Sequence, residues 1–347
     1  AQPNFLTVFP SGDQVPVVSN LNFSAPFDVS ANLVTVKVGA GGKVDVYGLN
    51  SIDMIFDLIG YYEPISGPVR AGRFEGLDTA ARVLDTRPAL VASGSTTIVD
   101  LSSVVPADAS AAVINLTATE TTAPGFATVF PYGSTAVPSV SSLNWTYPGA
   151  TRASAVIVPV SAANGRKIKV FTLTAAKLIV DVTGYFTGET SAASQFGAFV
   201  PVDPVRILDT RAEGQRDPQA PGGVLWPGWT VEAAIPGPAA TQASSVLINL
   251  TAADTRGPGY LTVAPARQPL PPTSNVNWTF AGATVPNHAI TRVTRIPGIQ
   301  VFTLGSSIIA DMAGYYLGNP LEPSRAPQGN PPPPPIDIPW YLTTPAL

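Results

Sequence analysis

Few side chains in this sequence could carry out chemistry. His288 is its one histidine and cysteine is absent, so a Ser-His-Asp triad could be built only at His288, and a thiolate zinc site or a disulfide is impossible. His288 lies in the segment VPNHAIT, whose composition favours a solvated loop. We therefore predict no catalytic residue, no metal ligand and no cofactor, and a protein that is not an enzyme.

Three acidic residues stand between apolar neighbours in similar segments: Asp57, Asp181 and Asp311. A half-buried carboxylate needs a cation or several donors, because an unpaired buried charge is costly. The best-placed cations are the arginines of a repeated LDTR segment: Arg87 or Arg82 for Asp181, and Arg211 or Arg206 for Asp311. We predict structural pairing of Arg87 with Asp181 and of Arg211 with Asp311, with no such arginine for Asp57. Calcium is the metal alternative, but the acids lack the cluster of ligands that calcium loops have, and a glycosidase pair is not expected in every repeat.

The sequence repeats itself at long range, and the repeats define its domains. Three blocks recur in the same order: LTVFP, ATVFP and LTVAP; SNLN, SSLN and SNVN; FDLIGYY, VDVTGYF and ADMAGYY. Two further blocks, RVLDTR or RILDTR and INLTA, occur twice and precede the others. We expect a half-module at residues 1–64, a second module at 70–188, a third module at 196–318, and a tail at 319–347.

The modules show the patterns of an all-β fold. Val34, Val36 and Val38 alternate with polar residues, Lys167 and Lys169 alternate with apolar ones, and turn-forming pairs separate the runs. We predict tandem antiparallel β-sandwich modules with a Pro-rich extended C-terminal tail. Five prolines at 331–335 should form a stiff spacer, and the residues after them alternate as one amphipathic strand would.

Composition narrows the classes of partner. Of the 347 residues, 45% are hydrophobic and 12% charged, with a net charge of -4 and no basic stripe. Nucleic acid is therefore not an expected partner. Apolar runs are too short to span a bilayer. The sequence begins at Ala1 without a methionine or a signal peptide, which fits a processed mature terminus or a sequence whose beginning was not captured, and we favour processing.

The blocks RILDTR, INLTA, LTVFP, SNLN and DVTGYF, taken as an ordered set over residues 1–318, resemble a tandem repeat of exported and cell-surface proteins of actinobacteria and some other bacteria. The resemblance implies a surface, adhesive or structural role and supplies no catalytic residues. The half-module and the tail lie outside that pattern.

Repeated Asn and aromatic positions have two interpretations each. Five N-x-Ser/Thr sequons could be glycosylated, but they fall at matching positions in strands, which favours Asn side chains that build the module. Phe23, Trp145 and Trp278 share one repeated position, and could stack on sugars, although one aromatic per module is more often core.

Half a sandwich cannot cover its own apolar face. We therefore expect the tail of one subunit to add a strand to the half-module of the next, as in donor-strand complementation, with these residues in contact: Ile336, Ile338, Trp340 and Leu342. The half-module could instead dock on the second module, or the chain could be part of a longer array. The expected function is a secreted structural subunit of a filament, sheath or surface layer, assembled from copies of itself. The alternative is a cell-surface adhesion or carbohydrate-binding module for cell-wall or surface glycan.

Overall fold

The computed structural model describes residues 4–25, 28–211, 223–296 and 298–322. It contains nineteen β-strands in five antiparallel sheets and one short α-helix. The prediction of an all-β protein built from tandem antiparallel modules is confirmed. Within the described residues no helix is long and apolar enough to cross a membrane.

The second module is a sandwich of two four-stranded sheets, ordered β4-β11-β6-β9 and β5-β10-β7-β8. Its strands are β4 (Phe74–Asp85), β5 (Ser95–Asp100), β6 (Ala109–Thr119), β7 (Gly125–Pro131), β8 (Leu143–Trp145), β9 (Arg152–Pro159), β10 (Lys167–Thr172) and β11 (Lys177–Thr187). In β10 the apolar Ile168 and Val170 are buried while Lys167 and Lys169 stay partly exposed, as their alternation predicts.

The third module repeats this topology, with sheets ordered β12-β19-β14-β17 and β13-β18-β15-β16. Its elements are β12 (Phe199–Asp209), β13 (Pro227–Ala234), α1 (Ala239–Gln242), β14 (Ala243–Ala253), β15 (Gly259–Pro265), β16 (Val276–Trp278), β17 (Val285–Arg292), β18 (Gly298–Leu304) and β19 (Ser307–Leu317). Each complete module has its own apolar core between its two sheets.

The half-module forms one three-stranded sheet, ordered β2-β1-β3, from β1 (Asn4–Pro10), β2 (Leu21–Phe23) and β3 (Val44–Gly48). It matches β8, β7 and β10 of the second module. The strand predicted over Val34–Val38 does not form. Its counterpart β9 pairs with β6, and the half-module has no strand of the β6 type among the described residues, so the backbone there lacks a partner.

A third apolar cluster joins the modules to each other. It takes Phe74, Val113 and Phe186 from the second module and Leu247, Ile290 and Tyr316 from the third. The central strands β11 and β19 are therefore buried on both sides, one side facing the module's own core and the other its neighbour.

Candidate interaction site at the half-module

Each complete module contains one buried ion pair between its outer strand and its central strand. Asp181 is 1% exposed and accepts hydrogen bonds from Arg82 Nε at 2.9 Å and Arg82 Nη2 at 3.3 Å. Asp311 accepts the same two bonds from Arg206 at the same distances. Burial raises the pKa of both carboxyl groups, and the paired arginine opposes that rise.

The arginine that forms this pair is the first residue of the RVLDTR or RILDTR block, so the selection of Arg87 and Arg211 was wrong. Arg82 lies directly opposite Asp181 in the β4–β11 pairing. Arg87 follows the end of β4 and binds the carboxylate of Asp85, with Nη2 2.5 Å from Oδ2. Arg211 likewise binds Asp209. The spacing along the sequence does not show which of the two arginines faces the aspartate, whereas the register of the paired strands does.

Three equivalent aromatic residues, one from each module, meet at one point. Tyr62, Phe186 and Tyr316 close the three GYY or GYF blocks, and their ring centroids lie 6.2, 6.3 and 6.4 Å apart. The three modules therefore meet at one cluster of aromatic rings. Around it, Tyr62 stacks on Phe199 at 4.5 Å, and Tyr316 lies 4.6 Å from Phe74.

Asparagine side chains connect the third module to the second. Asn287 Nδ2 donates to Asn115 Oδ1 at 2.9 Å and to the carbonyl of Asn275 at 2.6 Å. Asn287 Oδ1 accepts from the backbone N–H of Ala155 at 2.9 Å, and Asn115 Nδ2 donates to the carbonyl of Ser274 at 2.6 Å.

The half-module meets the third module through the same four-bond pattern, in which three bonds cross the junction and one lies within the half-module. Asn32 Nδ2 donates to Asn249 Oδ1 at 3.0 Å and to the carbonyl of Asn20 at 2.6 Å. Asn32 Oδ1 accepts from the N–H of His288 at 2.9 Å, and Asn249 Nδ2 donates to the carbonyl of Ser19 at 2.6 Å. The half-module therefore docks mainly on the third module. It also contacts the second module, through an ion pair between Asp28 and Arg152 at 3.7 Å and through the ring of Tyr62, whose centroid lies 6.3 Å from that of Phe186.

Together the two junctions and the meeting of Tyr62, Phe186 and Tyr316 indicate a cyclic order of the modules. The second half of one module contacts the first half of the next, from the half-module to the third module and from the third module to the second. A third junction of this kind would join the second half of the second module to a first half in the half-module. The described residues include no such first half.

Segment 51–62 is exposed because the described residues contain no first half to pack against it. It aligns with the central strand β11, yet it pairs with no described strand. Ile55 is 90% exposed and Leu58 88% exposed, whereas their counterparts Ile179 and Val182 are buried. An extended apolar segment with unpaired backbone groups is a site at which another strand can add.

His288 is not in a loop, and that prediction was wrong. It lies in β17 and is 3% exposed, because the half-module covers this strand. Burial lowers the pKa of His288 to about 4. Within the described part of the chain no three His, Asp or Glu residues are close enough to hold a metal ion.

The aromatic residues at the repeated position belong to the core. Trp145, Trp278 and Phe23 are buried, and Trp145 Nε1 donates to the carbonyl of Ala123 at 2.8 Å. The exposed tryptophans among the described residues are Trp226, just before β13, and Trp229, within β13. Neither belongs to a repeated block, so the repeats did not indicate them. The tail residues Ile336, Ile338, Trp340 and Leu342 lie outside the described residues.

The fold and these contacts define a tandem β-sandwich protein in which the described residues supply two complete modules and the second half of another. No family model matches the sequence, and no curated protein matches it. One solved structure, described as the crystal structure of the STIV MCP, aligns with 71% of this chain and 97% of its own at 9% identity and a TM-score of 0.20. A likeness at that score carries no argument about fold or function.

Proposed function

We propose that this protein is a non-enzymatic structural subunit of an extracellular, cell-surface assembly, and that it associates with other polypeptides through the half-module. The observation that carries the proposal is the exposed apolar segment 51–62, whose counterparts in both complete modules are buried central strands. Apolar surface with unpaired backbone groups favours association. The sequence resemblance to exported surface repeats supports the location.

The finer proposal is head-to-tail assembly into a filament, sheath or surface layer, with the tail of one copy donated to the next. Such contacts are heterologous and produce rings or open filaments. A strand over Ile336–Leu342 has seven residues, while β6, the strand between β11 and β9, has eleven. The tail strand is therefore a partial match to one position.

The test compares the particle size of the full chain with two tail variants, by light scattering and negative-stain microscopy. One variant ends after Gly329, and the other keeps the tail's length but carries Ile338→Asp and Trp340→Ala. Assembly of the full chain and neither variant would support tail donation. Assembly of all three would show that the subunits associate through a surface other than the tail. A monomeric full chain would contradict self-assembly.

Glycan binding is the second candidate, favoured by one observation. Trp226 is 61% exposed and Trp229 47% exposed, and the Arg256 guanidinium lies 4.4 Å from the Trp226 ring centroid. Exposed aromatic faces next to a fixed polar group suit sugar stacking. Cosedimentation with purified cell-wall polysaccharide, lost in Trp226→Ala with Trp229→Ala and kept in Phe196→Ala, would support it. Equal retention by all variants would not.

A further inference from the structure

We infer that the half-module is completed by a polypeptide segment of the first-half type, defined here as a segment with the sequence pattern of residues 70–121, which adds three strands to it. The inference rests on the proposed function, because it names the partner of the proposed association surface. Four features support it: the vacant strand positions of the half-module, the exposed Asp57, the space beside Gly60, and the residues of the second module that would form the third junction.

The strand positions follow from the shared topology. In the second module β6 lies between β11 and β9, β4 flanks the other side of β11, and β5 flanks β10. Segment 51–62 corresponds to β11, segment 28–38 to β9, and β3 to β10. A first-half segment therefore inserts one strand between 28–38 and 51–62, adds one outside 51–62, and adds one beside β3.

Asp57 indicates which residue type the incoming outer strand must carry opposite it. Its counterparts Asp181 and Asp311 are buried and each is held by an arginine directly opposite in the outer strand. Asp57 is exposed, and it forms no hydrogen bond or ion pair with any described residue. Adding strands on both sides buries this carboxylate, so the incoming outer strand must carry an arginine at the Arg82 position.

Gly60 provides a cradle for an aromatic ring. A Cβ added at Gly184 would lie 2.4 Å from the ring of Phe74, and one added at Gly314 would lie 2.4 Å from the ring of Phe199. Both aromatic residues begin the outer strand of their module. At Gly60 a Cβ would meet no described atom within 4 Å. The glycine thus leaves room for an aromatic ring that only a first-half segment brings.

The third junction gives the same assignment from the other side. Tyr62 packs on Phe199 and Tyr316 packs on Phe74, so the cyclic order leaves Phe186 to face the aromatic residue of the incoming segment. By the same order, the Asn of its INLT block is placed to donate to the carbonyl of Ser141, as Asn249 does to Ser19 and Asn115 does to Ser274.

Other occupants match fewer of these features. The tail contains one predicted strand, at Ile336–Leu342, and that strand carries no arginine, so it can fill one position and does not supply the cation opposite Asp57. A second copy of the chain contains first-half strands, but β4, β6, β12 and β14 are already paired inside their own modules. The occupant must therefore be a first-half segment that is not committed to a module of its own.

The experiment adds a synthetic polypeptide with the sequence of residues 70–121 to the full chain. Native mass spectrometry and calorimetry should give one polypeptide bound per chain. Hydrogen exchange should show new protection of segments 28–38 and 51–62, because their amides gain strand partners. The competitor is a scrambled polypeptide of the same composition.

Two substitutions test the proposed contacts. Asp57→Ala in the chain, or Arg82→Ala in the polypeptide, should weaken binding roughly tenfold or more, because each removes a charged pair held by two hydrogen bonds. Asp53→Ala is the matched control, an exposed acid on the same segment, and should bind as the unsubstituted chain does. Gly60→Leu should abolish binding by filling the ring cradle while leaving the chain's own melting unchanged.

A fused form covers the case in which the free polypeptide aggregates. Residues 70–121 are placed directly before Ala1, which keeps the spacing of the second module, and exchange at 28–38 and 51–62 is measured with and without Gly60→Leu. Slowed exchange that Gly60→Leu reverses supports the inference, and unchanged exchange overturns it. Protection of 51–62 already present in the full chain and lost on truncation after Gly329 also overturns it, since the tail would then be the occupant. The outcome is independent of self-assembly, because binding and exchange are scored equally in a chain that stays monomeric.

Discussion

At the scale of single residues, two buried ion pairs show how a carboxylate is kept inside a sheet. Asp181 and Asp311 lie within central strands, where burial raises the pKa of each. The facing arginine supplies two hydrogen bonds in a fork that matches the carboxylate. Removing the arginine alone therefore leaves a buried charge without its partner.

Replacing Arg206 with alanine should lower the free energy of unfolding by about 2 kcal/mol, the scale of hydrogen bonds to a charged group. Arg206 binds both Asp311 and Asp209, so two carboxylates lose a donor. Chemical denaturation measures the change. Arg295→Ala is the control, since its pair with Glu322 is exposed and should matter by less than about 1 kcal/mol. Equal losses in both variants would contradict the argument.

His288 should make the stability depend on pH. Its pKa in the folded protein is about 4, below the ordinary 6.5, so between these values the unfolded chain binds more protons. Stability should therefore be greatest above pH 6.5 and fall as the pH drops towards 4, by about 3 kcal/mol in total. Urea denaturation at several pH values measures the slope.

The control for this pH dependence is His288→Leu, which removes the titrating group and keeps an apolar side chain of similar size. Acidic residues also titrate in this range, so the comparison is between slopes and not between absolute stabilities. A variant as pH-dependent as the original protein would show that His288 does not set the slope.

At the scale of elements, glycines in the central strands determine which partner strand can pack beside them. Gly314→Ala should lower the free energy of unfolding of the third module by about 1–3 kcal/mol, because the added methyl group overlaps the ring of Phe199. Gly60→Ala is the matched substitution in the half-module and should leave the melting temperature of this chain unchanged, since no described atom is within 4 Å. Calorimetry of both variants tests this difference, and equal shifts would contradict it.

The repeated blocks allowed the strands within each module to be predicted. The contacts between modules could not be predicted from the sequence. Alternation in Lys167–Val170 predicts β10 correctly, because that strand has one buried and one exposed face. His288 and Asn115 appeared to be loop and module-building residues, since nothing local signals that a neighbouring module covers them. The Val34–Val38 strand failed for the opposite reason: its pattern is that of a strand, but strand structure also needs a partner backbone.

At the scale of the whole molecule, the two asparagine junctions are chemically alike but connect units of unequal stability. The third and second modules each have a complete core, whereas the half-module has a three-stranded sheet and an exposed apolar segment. The junction therefore contributes a larger share of the half-module's stability than of a complete module's.

Asn32→Ala and Asn287→Ala should consequently have different effects, although each removes the same set of bonds. Asn32→Ala should release the half-module, giving faster hydrogen exchange across β1–β3 while the main unfolding transition of residues 70–318 stays unchanged. Asn287→Ala should instead lower the free energy of that main transition by about 1–3 kcal/mol, because Asn115 and the N–H of Ala155 are left buried without their partner. Exchange mass spectrometry and calorimetry together separate the two outcomes. Similar effects of both substitutions would mean that the half-module and the complete modules unfold as one unit, and that docking on the third module is enough to stabilise the half-module without any added strands.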